Sequence, residues 1–247
     1  MARHQAGPVR RIEDYALIGD CESAALVGRD GSIDWLCWPR FDSAACFAAL
    51  LGTPDNGRWL IAPAAGEVRA TRRYEDGSLI LVTRFETDEG TCELVDFMPP
   101  RDNISNLVRL VRGIEGNMTL RTEFILRFDY GQVVPWVQRL ADRTLRAIAG
   151  PDLAVLRTPA RLRGEDFKTV GRFTVAAGET VPFVLSYGPS NAALPPEIDA
   201  AEALAATERF WHDWSHRCLS AGPWSGRSAT CWPGRPRPRR PRRSSGG

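Results

Sequence analysis

The sequence predicts an all-β fold: a large antiparallel β-sandwich followed by one linker α-helix. Three observations predict it. Between residues 67 and 187, strand-length runs follow one another, punctuated by turn residues, with no helix-length periodic segment among them. Within that region Met118, Leu120, Thr122, Phe124, Leu126 and Phe128 alternate with Thr119, Arg121, Glu123 and Arg127, with Ile125 out of step. A period of two marks a strand with one buried face. From Gly188 onward the apolar spacing turns helical.

In chain order, Val27-Gly28-Arg29-Asp30-Gly31-Ser32 reads as a strand end and a tight turn, because Asp-Gly supplies a position for positive φ. Ile33–Trp38 follows as a short strand that Pro39 closes. Asp42 or Ser43 is placed to cap a short helix over Ala44–Leu51, with Gly52 as its stop. Ser78–Glu86 and Thr91–Met98 flank the turn Thr87-Asp88-Glu89-Gly90. Asn106–Ile114 and Met118–Phe128 flank a second turn, Glu115-Gly116-Asn117. Further strands are expected at Arg143–Ala149, Ala154–Arg157, Lys168–Val175 and Thr180–Tyr187. Pro195-Pro196 suit a helix start, and Glu197, Asp199 and Glu202 suit the positive end of its dipole. Leu204, Trp211, Trp214 and Cys218 then recur on one face, and two tryptophans on a lone helix must be covered by something. The expected organisation is a sandwich domain over 1–190, a linker helix region over 191–224, and a tail over 225–247.

Composition narrows the function classes. Hydrophobic residues are 43% and charged residues 25% of 247, an ordinary globular balance. No run approaches the roughly 18–20 apolar residues of a membrane span, and residues 1–11 lack the apolar core of a signal peptide. Six sparse cysteines then read as reduced thiols, and the expected location is cytoplasmic.

The formal net charge of +2 hides an asymmetry. Residues 225–247 carry seven arginines, four prolines and no carboxylate, while residues 1–224 have a net charge of −5. Such a tail cannot bury enough surface to offset its chain entropy, so disorder is expected there. The acidic body argues against a nucleic-acid or membrane partner, since a basic arm would be expected on a positive face. A basic-tail interaction protein is the weakest of three functional readings. Since Lys168 is the only lysine, the coding is read as GC-rich, and the tail is expected to be the product of a shifted reading frame near codons 225–230.

Several runs together carry a family resemblance. They are Ile12-Glu13-Asp14-Tyr15-Ala16-Leu17-Ile18-Gly19-Asp20, Ala25-Leu26-Val27, Asp30–Cys37, Pro39-Arg40-Phe41-Asp42-Ser43, Phe47–Gly52 and Gly57-Arg58-Trp59. Tyr74, Leu94–Pro99 and Phe210-Trp211-x-x-Trp214 continue the series. In this order they resemble the N-terminal domain of bacterial glycoside hydrolase family 15 proteins, the glucoamylase and trehalase-like group, over about residues 10–224. The resemblance implies a β-sandwich, a linker helix and an α/α-barrel that hydrolyses terminal α-glucosidic bonds with inversion. In such enzymes two carboxylates roughly 6.5–9.5 Å apart leave room for the attacking water. Those glutamates belong to the barrel, and the resemblance fades after Gly222-Pro223-Trp224 and Arg227-Ser228-Ala229, so no catalytic residue is assigned.

Asp34, Trp35, Trp38, Arg40 and Asp42 are the candidate substrate-binding residues: aromatic faces, a guanidinium and carboxylates suit sugars, and the resemblance turns these loops toward the barrel. The competing reading has the carboxylates capping turns and the tryptophans filling an interface. Trp211 and Trp214 are the candidate domain-interface residues. His212-x-x-x-His216 with Cys218 nearby has ligand spacing, but nothing supplies a fourth ligand, so no metal is assigned. No Walker or Rossmann glycine pattern occurs, and no cofactor is implied. The partners expected are the barrel and, through it, an α-glucoside or α-glucan. The second functional reading is a free-standing α-glucan-binding module.

Overall fold

The computed structural model describes residues 11–140 and 143–217. The expected disorder of 225–247, the continuation toward a barrel and Cys218 lie outside the described residues.

Among the described residues, fifteen antiparallel strands and one α-helix follow in order. They are β1 (Tyr15–Gly19), β2 (Ala24–Gly28), β3 (Ser32–Cys37), β4 (Ala45–Phe47) and β5 (Arg58–Pro63). Next come β6 (Arg69–Tyr74), β7 (Leu81–Thr87), β8 (Gly90–Phe97), β9 (Ser105–Ile125) and β10 (Trp136–Arg139). The last are β11 (Thr144–Ala149), β12 (Asp152–Arg157), β13 (Leu162–Glu165), β14 (Lys168–Ala176), β15 (Thr180–Pro189) and α1 (Ala200–Ser215). One layer runs β1-β2-β3-β5-β9-β14-β13, with β4 on β3. The other runs β6-β7-β8-β9-β15-β12-β11-β10. The predicted antiparallel sandwich with one following helix is therefore what forms, and β9 belongs to both layers.

That double membership corrects the turn expected at Glu115-Gly116-Asn117. Residues 105–112 pair with β15 in one layer, and residues 117–124 pair with β14 in the other. Thr91 pairs Glu115 while Cys92 pairs Gly113, so Ile114 is the extra residue of a β-bulge. A bulge sharpens twist and bends a strand, which carries β9 across the corner instead of reversing it.

The helix expected over Ala44–Leu51 is also replaced. Ala45–Phe47 forms β4, and a 3-10 turn over Ala49–Leu51 follows. Ala45, Cys46 and Phe47 are all fully buried, so this segment has no solvent face for an amphipathic helix to show. The helix expected from Pro195 starts later, at Ala200, because the Asp199 carboxylate caps it by accepting from the Ala201 and Glu202 amides at 2.8 Å each.

The core between the layers includes Ile18, Ile33, Trp59, Phe85, Leu120, Phe124 and Phe183. The second layer buries its outer face too: Ile80, Val82, Phe97, Val108 and Val184 are covered by Ala200 and Leu204 of α1. One open side of the sandwich is stitched shut. Tyr74 Oη accepts from the Leu17 amide (2.8 Å) and donates to the Leu17 carbonyl (2.9 Å), and Arg72 donates to the Val27 carbonyl. No helix among the described residues is long and apolar enough to cross a membrane.

Candidate functional site

The segments that carry the predicted residues meet at one end of the sandwich, where β1 and β3 finish and β9 starts. Asp20, just after β1, is 1% exposed and uses both carboxylate oxygens. Oδ1 accepts from the Glu22 and Ser23 amides at 3.1 and 2.7 Å, which closes the β1–β2 turn. Oδ2 accepts from Arg101 Nε (3.0 Å), Arg101 Nη2 (2.8 Å) and Ser105 Oγ (2.6 Å). Ser105 Oγ in turn accepts from Trp38 Nε1 at 2.9 Å. Arg101 also donates to the Pro39 carbonyl and to Glu22 Oε2. The Phe41 amide donates to the Glu22 carbonyl at 3.0 Å. Charge-assisted bonds of this kind are stronger than neutral ones, so the loops at 20–23, 38–43 and 99–105 form one rigid rim.

Of the five predicted residues, Trp38, Arg40 and Asp42 lie at that end, whereas Asp34 lies toward the starts of β1 and β3, beside Tyr15 and Ser32. Trp38 is 3% exposed, with its ring 5.6 Å from that of Tyr187. Burial, then the Asp152 carboxylate that accepts from its hydroxyl, push the Tyr187 phenol well up. Asp34 is also buried, and its carboxylate accepts from the hydroxyls of Ser32 and Tyr15. Trp35 is half-buried, packs against Cys37, Ala45 and Ala48, and lies 6.2 Å from the Tyr130 ring. Arg40 and Asp42 are exposed and form an ion pair at 3.1 Å, and the Arg40 hydrogen bond holds the Asp42 carboxyl below its usual range. The structure thus brings Trp38 into the rim's interior and leaves Arg40 and Asp42 on its surface. What the rim offers is a fixed shape with a guanidinium and a carboxylate outermost, suited to binding and orientation.

Asp20, Arg101, Ser105 and Tyr187, which hold the rim together, were not singled out in the sequence. The signal available was Asp20 at the end of a strand, a type of residue that closes turns by accepting from the next amides.

On α1, Trp211 is 3% exposed and its indole Nε1 is buried with no hydrogen-bond partner among the described residues. Trp214 is half-buried and Phe210 is 38% exposed, with both rings edge-on to Trp211. Trp211 is therefore already covered, whereas Trp214 and Phe210 remain partly open. A Cβ placed on Gly77 would meet Ser215 Oγ at 2.7 Å, so α1 ends against the β6–β7 turn, at the same end as the rim. The His212 and His216 rings lie 3.9 Å apart, and no group of three or more potential metal ligands occurs among the described residues.

The sequence has identifiable relatives. The profile of the family "Trehalase-like, N-terminal" matches residues 4–211. A trehalase of Mycolicibacterium smegmatis is 30% identical over 242 residues, which cover 85% of this chain and 36% of that protein. A trehalase of Mycobacterium tuberculosis is 28% identical, over 87% of this chain and 36% of its own length. Trehalase 1 of Sulfolobus acidocaldarius is 29% identical, over 82% and 34%. The chain thus spans about a third of the length of the curated relatives it matches. With the match running through every described strand and into α1, the chain belongs to the trehalase-like N-terminal family.

Proposed function

We propose that this chain is the non-catalytic N-terminal domain of a glycoside hydrolase of the family 15, glucoamylase and trehalase-like kind. In the intact protein it packs against the catalytic barrel and shapes the mouth of its active site. That whole protein hydrolyses terminal α-glucosidic bonds with inversion. One observation carries the reading: α1 packs on the outer face of the second layer through Ala200 and Leu204 and ends, at Ser215, against the β6–β7 turn, which leaves Trp214 and Phe210 partly open to a neighbouring domain. Arg40 and Asp42 stand outermost on the rim, available to a neighbouring domain or to sugar.

A domain exchange tests this. Residues 1–217 replace the matching part of the Mycolicibacterium smegmatis trehalase, and glucose release from trehalose and maltose is followed, with the anomer formed first read by NMR. The exchange enzyme is expected to be active and to release the inverted anomer, while the 247-residue chain alone releases no glucose above a blank. Steady hydrolysis by the chain alone, or a folded but inactive exchange enzyme, overturns the proposal.

A further inference from the structure

Opposite the side stitched by Tyr74, the two layers part into a groove of about 730 Å³. Its walls are the two edge strands on that side, β10 and β13, and Leu126 and Leu145 lie at its floor. A volume of this size falls within the roughly 300–1,000 Å³ usual for small-ligand sites. Two aromatic residues flank it while facing solvent: Trp136 on β10 is 78% exposed, and Phe167 at the β13–β14 turn is 84% exposed.

Neither aromatic is there for the fold. All four residues of β10 are exposed, so Trp136 buries little. Phe167 has φ +58 and follows Asp166 at φ +48, two consecutive left-handed residues at the tip of a hairpin. Such turns select Asn and Gly, so a phenylalanine there is held against its backbone preference and aimed outward. The groove is also braced. Arg127 Nη2 donates to the Phe167 carbonyl at 3.1 Å, Arg139 on β10 donates to the Leu162 carbonyl on β13, and Lys168 Nζ is 3.1 Å from Asp55. Arg163, Glu165 and Lys168 put donors and acceptors along the lip.

We propose that this groove is a saccharide-binding cleft that takes a short α-glucan chain. The choice of an α-glucan rests on the glycoside hydrolase reading above. A pyranose ring has a C–H face that lies on an aromatic ring and a rim of hydroxyls that hydrogen-bond to polar and charged side chains. Trp136 and Phe167 supply the first, and Arg163, Glu165 and Lys168 the second. An added β-strand suits the groove less well. Both edges are only four residues long, a length that blunts edge pairing, and the Arg139 bridge already takes a β13 carbonyl. The buried Trp38 and half-buried Trp35 offer no open ring of this kind.

The test uses the full 247-residue chain and titrates maltoheptaose by calorimetry, with cellohexaose as the comparison. Saturable maltoheptaose binding is expected, weakened at least tenfold by Trp136→Ala and by Phe167→Ala, and unchanged by Glu67→Ala, an exposed change between β5 and β6. Circular dichroism checks the fold of each variant, since both aromatics are exposed. Absence of binding, or binding that survives the Trp136→Ala/Phe167→Ala double variant, overturns the inference. So does a dimer that Trp136→Ala dissolves while no sugar binds, because the groove is then an interface between copies. An active exchange enzyme alongside any of these failures leaves the domain reading intact and removes the cleft alone.

Discussion

Arg109 and Asp96 face each other across β9 and β8 as direct register partners, both fully buried, in a bidentate ion pair of 2.7 and 3.1 Å. Two more of the guanidinium N–H groups are also used. Nη1 reaches the Trp59 carbonyl and Nη2 the Gly31 carbonyl, each at 2.7 Å, and the guanidinium carbon lies 5.2 Å from the Trp59 ring centre. One side chain of the second layer thus ties down two backbone positions of the first. Removing one partner of a buried pair typically costs about 3–5 kcal/mol, because the other charge stays buried and uncompensated. Asp96→Asn is expected to lower unfolding stability by about that much, read as an earlier urea midpoint. A loss within about 0.5 kcal/mol, the usual range for a surface change, would show that the pair does not join the layers.

The rim gives a local effect. Arg101→Ala removes the donors that connect Asp20, Pro39 and Glu22. Hydrogen bonds to charged groups contribute about 1.5–3 kcal/mol each, and the buried Asp20 carboxylate keeps only its amide and Ser105 partners. Hydrogen exchange should quicken at the Ser23 and Phe41 amides, with the far-UV spectrum unchanged. Unaltered protection at both amides would mean that the loops hold their shape without Arg101.

Much of the sandwich is legible in the sequence, and the failures have physical causes. The alternation from Met118 to Phe124 gives the inward face of β9, since each of those even positions is buried. The tight turn at Asp88-Glu89 also stands where the sequence puts it, between Thr87 and Gly90. The corner at Ile114 is hidden because a bulge followed by Gly116 at φ +68 has the residue signature of a hairpin turn. The strand β4 is hidden because three small or apolar residues buried on every side show no period. In the candidate site, residue type was readable and depth was not: Asp34 and Trp38 carry sugar-binding chemistry but are buried, whereas Trp136 and Phe167 are open. Arg109 could have been found. It stands midway between Leu107 and Val111, two residues from each, so it faces the same core, and Asp96 stands likewise between Leu94 and Met98.

Alkaline pH should destabilise the fold. Burial pushes the Cys92 thiol up to about 12, the Cys46 thiol well above its usual value, and the phenols of Tyr74 and Tyr187 upward. In the unfolded chain thiols titrate near about 8.5 and phenols near about 10. These groups are acids whose folded pKa is raised, so the stability they contribute is complete below about pH 8.5. Above that the unfolded chain loses protons the folded one keeps, and stability falls by up to about 1.4 kcal/mol per pH unit for each separated group. The thermal midpoint is expected to be level from about pH 6 to 8 and to drop beyond about pH 9, with Tyr187→Phe shallower above about pH 10. A midpoint level to about pH 11 would contradict this.

The corner of β9 depends on the absence of one methyl group. Gly113 sits where the strand leaves the second layer, and its amide donates to the Glu179 carbonyl while its own carbonyl accepts from the Gly178 amide, both at 2.9 Å. A Cβ there would lie 2.0 Å from the Ala176 carbonyl oxygen and 2.6 Å from its carbon. Those atoms are backbone and are fixed by pairing of Ala176 with Asn117, so they cannot step aside as a flexible side chain would. Gly113→Ala must therefore push the 176–179 turn away and lose both bonds, and overpacking of this sort costs about 1–3 kcal/mol. Gly164→Ala is the control, since it has nothing within 4 Å and no left-handed backbone, and it should be close to neutral. Equal urea midpoints for the two variants would mean that the corner tolerates the added volume. The crossing of β9 would then owe nothing to a glycine at 113, and the bulge at Ile114 alone would account for the bend.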